Sequence, residues 1–185
     1  LEQRGFEVVL TREPGGTPGA EAIRQLLLET EGPGWAPEAE ALLFAAARSD
    51  HVARLIRPAL ERGAWVVCDR FVDSTRAYQG GGGGLSDEDI LALHAIGSAS
   101  LLPDLTLLLE GHDEVVAERL SRRDGGESDR IGGRGEPFHR KVGEAFRRLA
   151  DAEQGRFARI DSSGSREETH RAVLAAVEPL LERPA

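Results

Sequence analysis

Short apolar runs typical of β-strands alternate with longer segments of helical periodicity, and this alternation constrains the fold more than any other feature. An uninterrupted run such as Leu107-Leu108-Leu109 suits a strand that is buried on both faces of a parallel sheet. The alternation predicts an α/β fold with a doubly wound parallel sheet flanked by helices. The predicted strands are Glu7–Leu10, Trp65–Cys68, Leu105–Leu109 and Phe157–Ile160, with helices near 19–30, 37–62, 86–99, 112–123, 137–154 and 165–182.

Local signals support several helix ends and one interruption. Pro58 lies inside the apolar repeat of the second predicted helix, and we expect a kink or a restart there because proline cannot donate a helical hydrogen bond. Two glycine-rich patches, Gly80–Gly84 and Gly125–Gly135, favour mobile loops. The remaining signals are two capping boxes and two first-turn prolines: Ser86 with Asp89, Ser165 with Glu168, Pro37 and Pro137.

Composition narrows the function classes. A chain of 185 residues predicts a single domain, and its net charge of −9 argues against a general affinity for nucleic-acid polymers. The only cysteine, Cys68, excludes an intrachain disulfide and a multi-cysteine zinc site, and its apolar surroundings favour a buried structural thiol. The sequence has no long apolar stretch and no signal-peptide pattern, so we expect a cytoplasmic protein with no membrane partner.

The start of the chain carries its own expectation. The sequence has no Met, and its single lysine, Lys141, has no glycine-rich loop before it, so the chain contains no G-x-x-x-x-G-K-[ST] phosphate loop. Residues 1–5 resemble the last turn of a helix that ends on a C-cap glycine. We therefore expect roughly 20–25 further residues before Leu1, comprising a strand, a phosphate loop and most of a helix.

Two polar segments follow predicted strands, where ligands of open α/β sheets bind. The first is Thr11-Arg12-Glu13-Pro14-Gly15-Gly16, in which Arg12 and Glu13 are candidates for a binding crevice. The second contains Asp69 and Arg70, an arrangement that resembles the Mg²⁺ and phosphate sites of phosphoryl-transfer enzymes. The alternatives are an ordinary strand–helix loop for the first segment and a helix-capping pair for the second.

Three further clusters have possible chemistry. Phe44 and Arg48 share a helix face, where a ring stacks on a base and a guanidinium grips a phosphate; the alternative is a core ring and a solvated arginine. The segment Asp73–Gln79 is rich in groups that read a base edge or a sugar, and is otherwise a polar loop. The third cluster is rich in arginine and predicts a lid over residues 119–136 that closes on polyphosphate. The alternative is a solvated helix face. The cluster consists of Arg119, Arg122, Arg123, Arg130 and Arg134.

Taken together, these segments resemble the thymidylate kinase family, which phosphorylates dTMP with ATP. No single segment is specific, but they occur in family order and span nearly the whole chain. The matching segments are Thr11–Thr17, Leu42–Arg48 with His51, Ile56–Leu60, Asp69–Gln79, Pro103–Leu109, Asp129–Ile131 and Arg159–Asp161.

The resemblance implies a role for each candidate residue. On the acceptor side, Phe44 would stack on thymine, with Arg48, Thr75 and Gln79 reading the base. Tyr78 would lie against the deoxyribose, Arg70 would bind the acceptor phosphate and Glu13 would line the acceptor site. On the donor side, Asp69 would sit near Mg²⁺. The lid arginines Arg130, Arg123 or Arg134 would stabilise the transferring phosphoryl group, and Arg119, Asp161 and Ser162 would flank the adenine of ATP. The resemblance also implies a homodimer.

The sequence departs from the family in two internal places. Gly83 stands where related sequences often carry arginine, and Gly132 stands where an acidic residue is common. Independently of these departures, the expected missing phosphate loop predicts impaired transfer by this exact chain. Two alternatives follow: a non-catalytic nucleotide-binding remnant, or a related deoxynucleoside or deoxynucleotide kinase.

Overall fold

The computed structural model describes residues 1–29, 32–111 and 130–182. Four strands and seven α-helices are present among them, and the strands alternate with the helices along the chain. The strands are β1 (Val8–Arg12), β2 (Trp65–Asp69), β3 (Thr106–Glu110) and β4 (Phe157–Asp161). The helices are α1 (Pro18–Glu29), α2 (Pro37–His51), α3 (Arg57–Glu61), α4 (Val72–Thr75), α5 (Asp87–Ser98), α6 (Glu136–Ala152) and α7 (Arg166–Leu181).

All four strands run parallel to their partners. β1 pairs with β2, so that Arg12 lies opposite Asp69, and β3 pairs with β4, so that Glu110 lies opposite Asp161. Each register places two polar residues together at the carboxyl ends of a strand pair. The prediction of an α/β fold with parallel strands and flanking helices is confirmed. The doubly wound arrangement of one sheet stays a prediction, because the described strands form two two-stranded sheets.

The chain divides into two compact units, each with one strand pair. The described residues of the first lie in 1–102 and 130–145, and those of the second in 103–111 and 146–182. Leu27, Val52 and Ile90 are among the most deeply buried side chains of the first unit, and Phe157 and Ile160 are buried in the second. The prediction of a single domain is not decided by this division.

The long helix predicted over 37–62 is interrupted before Pro58, as expected. α2 passes into a π-helical segment at Val52–Ile56, and α3 begins at Arg57 with Pro58 in its first turn. Because Pro58 has no N–H and its ring would clash with the preceding turn, the wider π turn accommodates it.

The first glycine-rich patch corrects an expectation. Gly80–Gly84 was predicted to be a mobile loop, but Arg76–Gly82 forms a π-helical segment that continues α4. A Cβ atom on Gly82 would lie 2.5 Å from the Phe138 ring, so glycine allows α6 to approach this backbone closely. The sequence pattern did not predict a helix here because glycine has low helix propensity and the stabilising contacts come from a distant segment.

The remaining local predictions concern helix ends and the segments between them. Ser165 and Glu168 form the complete capping box, whereas Ser86 caps α5 by accepting from the Asp89 amide and donates its hydroxyl to the Asp89 carboxylate. Residues 2–4 form a 3₁₀ turn closed by Gly5 at φ 86°, in agreement with the predicted C-cap glycine. The predicted helix near 112–123 and residues 125–129 of the second glycine patch lie outside the described residues. No helix in the described part of the chain is long and apolar enough to cross a bilayer.

Candidate active site

A buried ion pair lies where β1 and α2 meet. Arg48 of α2 is 3% exposed, and its Nε donates to Glu13 Oε2 at 2.8 Å, just beyond the end of β1. Its Nη2 donates to Thr75 Oγ1 at 2.8 Å. Two charges removed from water require each other and further hydrogen bonds, which Thr75 supplies. The alternative of a solvated Arg48 is therefore wrong, and Phe44, one turn earlier, is half-buried.

His51 completes this group, which we call the Glu13 cluster (Glu13, Arg48, His51 and Thr75). The ring is fully buried and lies 3.1 Å from Glu13 Oε1 through Nδ1 and 2.8 Å from Thr11 Oγ1 through Nε2. An ionised carboxylate only accepts, so Nδ1 donates to Glu13, and in the neutral ring Nε2 accepts from the Thr11 hydroxyl. His51 had no predicted role of its own. Its spacing of three residues from Arg48 was the available signal.

The backbone after β1 approaches this cluster closely at Gly16. Its φ of 89° is in the left-handed region, and a Cβ atom there would lie 2.5 Å from Thr11 Oγ1 and 2.6 Å from His51 Nε2. The Gly16 amide donates to Glu21 at 3.0 Å, and this bond is the main reason that the pKa of Glu21 is lowered. Glu21 also accepts from the half-exposed Arg12. The loop is thus held on one side by its close approach to the Glu13 cluster and on the other by its hydrogen bond to Glu21.

A second anchor holds the same loop from α2. The Thr17 hydroxyl donates to Asp50 at 2.6 Å, and Asp50 also accepts from Arg54 at 2.6 Å. The Thr17 bond is the first cause of a lowered pKa of Asp50. Of the alternative loop with a solvated arginine and glutamate, the solvated Glu13 is wrong because that residue is 6% exposed, whereas Arg12 is half-exposed. Sequence analysis missed Glu21 and Asp50 because each resembles an exposed helical acid.

Gln79 belongs to a second buried group. Its side chain is 2% exposed, and Nε2 donates to Glu40 Oε1 at 2.8 Å. Glu40 is 4% exposed and forms an ion pair with Arg134. Glu40 had no predicted role, because an acidic residue in the first turn of a helix is ordinarily solvated. Its pairing with Gln79 and Arg134 brings residues 39 and 94 positions away to the start of α2.

Asp69, the last residue of β2, and Arg70, which follows it, are exposed. Asp69 lies at the carboxyl end of the strand, and its backbone carbonyl accepts from the Glu13 amide at 2.9 Å. Arg70 has a φ of 68°, and its guanidinium lies 5.0 Å from the centre of the Tyr78 ring. The alternative that Asp69 and Arg70 cap a helix is wrong, because the N-cap of α4 is Phe71, without a side-chain cap.

Two of the predicted lid arginines are described. Arg130 donates to the Gly32 carbonyl at 3.1 Å. Arg134 pairs with Glu40, and its guanidinium lies 4.7 Å from the centre of the Phe138 ring. Arg119, Arg122 and Arg123 lie outside the described residues.

The second unit has a separate polar pocket at the carboxyl ends of β3 and β4. Its volume is about 420 Å³, and Asp161 and Ser163 line it. Arg159 donates to Glu110 at 2.6 Å, which is the main reason that the pKa of Glu110 is lowered. Ser162 is buried beside it and donates both its amide and its hydroxyl to the Glu110 carbonyl. The other residues that line the pocket are Glu110, Gly111, Arg147 and Arg159.

A strand-end aspartate, an exposed arginine and a buried ion-pair cluster at the carboxyl ends of parallel strands are typical of the class of α/β phosphotransferases. The comparisons identify the family within that class. The thymidylate kinase family model matches residues 1–173. The chain therefore belongs to the thymidylate kinase family, and the predicted enzyme class, a phosphotransferase of nucleotide biosynthesis, is confirmed.

Individual relatives agree with the family match. The chain is 55% identical to thymidylate kinase of Rhizorhabdus wittichii over 181 residues, which covers 98% of this chain and 87% of the relative. It is 47% identical to thymidylate kinase of a Bradyrhizobium species, covering 98% of this chain and 80% of the relative. The crystal structure of thymidylate kinase from Ehrlichia chaffeensis superposes with a TM-score of 0.72 at 29% identity, covering 94% of this chain and 81% of that one.

Proposed function

We propose that this protein transfers the γ-phosphoryl group of ATP to dTMP, giving dTDP and ADP. An oxygen of the dTMP phosphate forms the new bond to the γ-phosphorus, and the bond from that phosphorus to ADP breaks. The observation that carries the proposal is the buried array of Arg48, Thr75 and Gln79. Such an array rejects a mismatched base strongly, because the wrong base leaves buried polar groups unpaired.

The Glu13 cluster supports the base-reading role. Arg48 uses Nε and Nη2 for its bonds to Glu13 and Thr75, and neither bond uses Nη1. A guanidinium held on two sides is preorganised to donate to a base carbonyl with little further loss of side-chain freedom. Phe44 is the stacking residue of the proposal. Glu13 acts from beneath the acceptor site by holding Arg48 rather than by contacting dTMP.

Arg70 is the proposed ligand of the acceptor phosphate. It is exposed at the carboxyl end of β2, and its charge is not consumed by an ion pair within the described residues. Its position over the Tyr78 ring limits the directions of the guanidinium. Tyr78, the neighbour of Arg70, is the proposed contact of the deoxyribose that carries this phosphate.

Asp69 fits a role at Mg²⁺. Its carboxylate is exposed at the strand end and has no hydrogen bond or ion pair within the part of the chain that the structure describes. Mg²⁺ in phosphoryl-transfer sites takes one or two carboxylates and keeps several waters, so one free carboxylate suits it. When bound, Mg²⁺ neutralises charge on the phosphates. Asp69 would hold it directly or through water.

The donor side of the proposal has two groups of residues. Arg130, Arg123 and Arg134 are the candidates for stabilising the transferring group, and Arg134 would have to exchange Glu40 for phosphate. Asp161 and Arg119 are proposed to flank adenine. Ser162 contributes by fixing the loop, because both of its donors are engaged by Glu110. We further propose a cytoplasmic homodimer.

The test compares acceptors. We expect dTMP to bind more tightly than dCMP or thymidine in titration calorimetry, because dCMP mismatches the base-reading groups and thymidine lacks the phosphate. We also expect ADP release with ATP and Mg²⁺ to depend on dTMP. Tighter binding of dCMP or thymidine, or ADP release independent of the acceptor, would contradict the proposal.

A further inference from the structure

Gln79 carries a buried acceptor that the protein does not satisfy. Its Oε1 atom has no hydrogen-bond partner among the described residues, although the side chain is almost fully enclosed. A buried unpaired carbonyl is unfavourable, and such atoms in folded proteins call for an explanation. A ligand that donates a hydrogen bond to this oxygen would explain why the protein leaves it unpaired.

Glu40 determines which end of the Gln79 amide stays unpaired. Because a carboxylate has no hydrogen to donate, only the NH₂ end of the amide can bond to Glu40, and the carbonyl must then face elsewhere. Glu40 also pairs with the guanidinium of Arg134 and lies in the first turn of α2, where the helix dipole interacts favourably with a carboxylate. A neutral side chain at position 40 would not impose this orientation.

The free carbonyl matches one type of nucleobase edge. Thymine and uracil carry an N–H at ring position 3, which donates, whereas cytosine carries a lone pair at that position and would meet the carbonyl acceptor to acceptor. Thr75 and Gln79 lie four residues apart on consecutive helical turns. Because Arg48 donates to Thr75, this spacing places the Arg48 guanidinium about one helical turn from Gln79.

We propose that Glu40 is a specificity-determining positioning residue, which holds Gln79 so that its carbonyl accepts from the ring N–H of a thymine or uracil base. This inference rests on the proposed function, in which Gln79 reads the acceptor base. Glu40 itself does not touch the nucleotide. It acts by excluding the flipped amide, whose NH₂ group would donate to cytosine.

The experiment measures nucleotide affinity by titration calorimetry for the wild type, Glu40→Gln and the control Glu38→Gln. Glu38 lies in the same helical turn but is exposed. The matched ligands are dUMP and dCMP, with dTMP as the third. In Glu40→Gln we expect the dUMP:dCMP affinity ratio to fall about tenfold, the loss of one discriminating hydrogen bond. The dTMP:dUMP ratio stays unchanged, and Glu38→Gln behaves as wild type.

A second variant tests the route through Gln79. Gln79→Leu removes the acceptor and should reduce the dUMP:dCMP ratio at least as much as Glu40→Gln does. Adding Glu40→Gln to Gln79→Leu should then change the ratio no further, because the two residues act as a unit. A merely structural Glu40 would weaken all three nucleotides in proportion and leave the ratios intact.

The outcomes separate the inference from the proposed function. If the wild type prefers dUMP and dTMP over dCMP but Glu40→Gln keeps that preference, the inference alone is overturned. If Glu40→Gln does not fold, an unchanged ratio in Gln79→Leu overturns it equally. If the wild type itself shows no preference for dTMP over dCMP, the proposed function fails and the inference fails with it.

Discussion

At the scale of single residues, His51 holds the Glu13 carboxylate in place from the side opposite Arg48. Both of its ring nitrogens are engaged, one by Glu13 and one by Thr11. Since the ring is fully buried, removing it would leave one oxygen of Glu13 and the Thr11 hydroxyl without their partners. The main cost in folding free energy is that of leaving a buried carboxylate oxygen without a hydrogen-bond donor.

We therefore expect His51→Leu to lower the free energy of unfolding by about 2–4 kcal/mol, measured by urea denaturation. His51→Asn should recover part of that loss, because its amide can donate to Glu13 from nearly the position of Nδ1. The control is His170→Leu on an exposed site of α7, with an effect within about 0.5 kcal/mol. A His51→Leu protein as stable as wild type would show that these contacts do not stabilise the fold.

Sequence analysis could locate individual residues but not their partners. Glu13, Asp69 and Arg70 were predicted at the carboxyl ends of strands and are found there, because apolar runs mark the strand ends. The burial of Arg48 depends on Glu13, 35 residues earlier, and the burial of Glu40 depends on Gln79 and Arg134. Such pairings arise only when distant elements pack, and a single sequence carries no local signal for them.

At the scale of elements, the π-helical segment Arg76–Gly82 depends on α6. Gly82 meets Phe138 and Val142, and Gly81 meets Ala145. These contacts leave no room for a methyl group at either glycine. The packing of α6 against this segment thus offsets the low helix propensity of its glycines.

Gly82→Ala should lower the free energy of unfolding by about 1–3 kcal/mol, because its methyl group would overlap the Phe138 ring and Val142. Gly143→Ala is the matched control within α6, where a Cβ atom meets nothing within 4 Å. That change should raise stability by about 0.5–1 kcal/mol through helix propensity and reduced freedom of the unfolded chain. Thermal unfolding measures both. Equal shifts in the same direction would contradict the packing argument.

Regular elements were predicted well where apolar periodicity is strong. All four strands were placed within two residues, and the interruption at Pro58 was predicted from the missing N–H of proline. The π-helical segment and the short α4 were not predicted. Their sequence, Val72 to Gly82, lacks a long apolar repeat and ends in glycines, so tertiary contacts decide its structure.

At the scale of the whole molecule, several carboxylates bind protons less readily in the folded state. The pKa of Glu110 is lowered chiefly by the Arg159 hydrogen bond, that of Glu21 by the Gly16 amide and that of Glu168 by the Ser165 amide. A lowered folded pKa means that the unfolded chain binds more protons at acidic pH. Their stabilisation is complete above the usual glutamate value of 4.5 and is lost as pH falls through the folded values.

We expect the unfolding temperature to be nearly constant from about pH 7 to 5.5 and to fall progressively below about pH 4.5. Glu110→Gln should reduce the acid-dependent part of that fall, because the substituted side chain does not titrate. Glu144→Gln, at an exposed site of α6, is the control and should leave the profile unchanged. An unfolding temperature that rises on acidification would contradict the assigned sign.

The fold class was predictable from the alternation of strands and helices, whereas the division into two units was not. Each unit contains one pair of parallel strands, and α6 contributes residues to both units. Periodicity reports which face of an element is buried but not which other element covers it. The family resemblance was based on the order of short segments spread over nearly the whole chain. It was confirmed by a family model that matches residues 1–173.

The π-helical segment Arg76–Gly82 also has a consequence for chain length. A π turn closes over one more residue than an α turn, so the segment uses extra residues to cover the distance between α4 and the start of α5. Converting one of its turns to α geometry would release a residue without displacing Ser86, the cap of α5. Sequences of different length can therefore join the same two helices here, by a change of turn type rather than by a new loop.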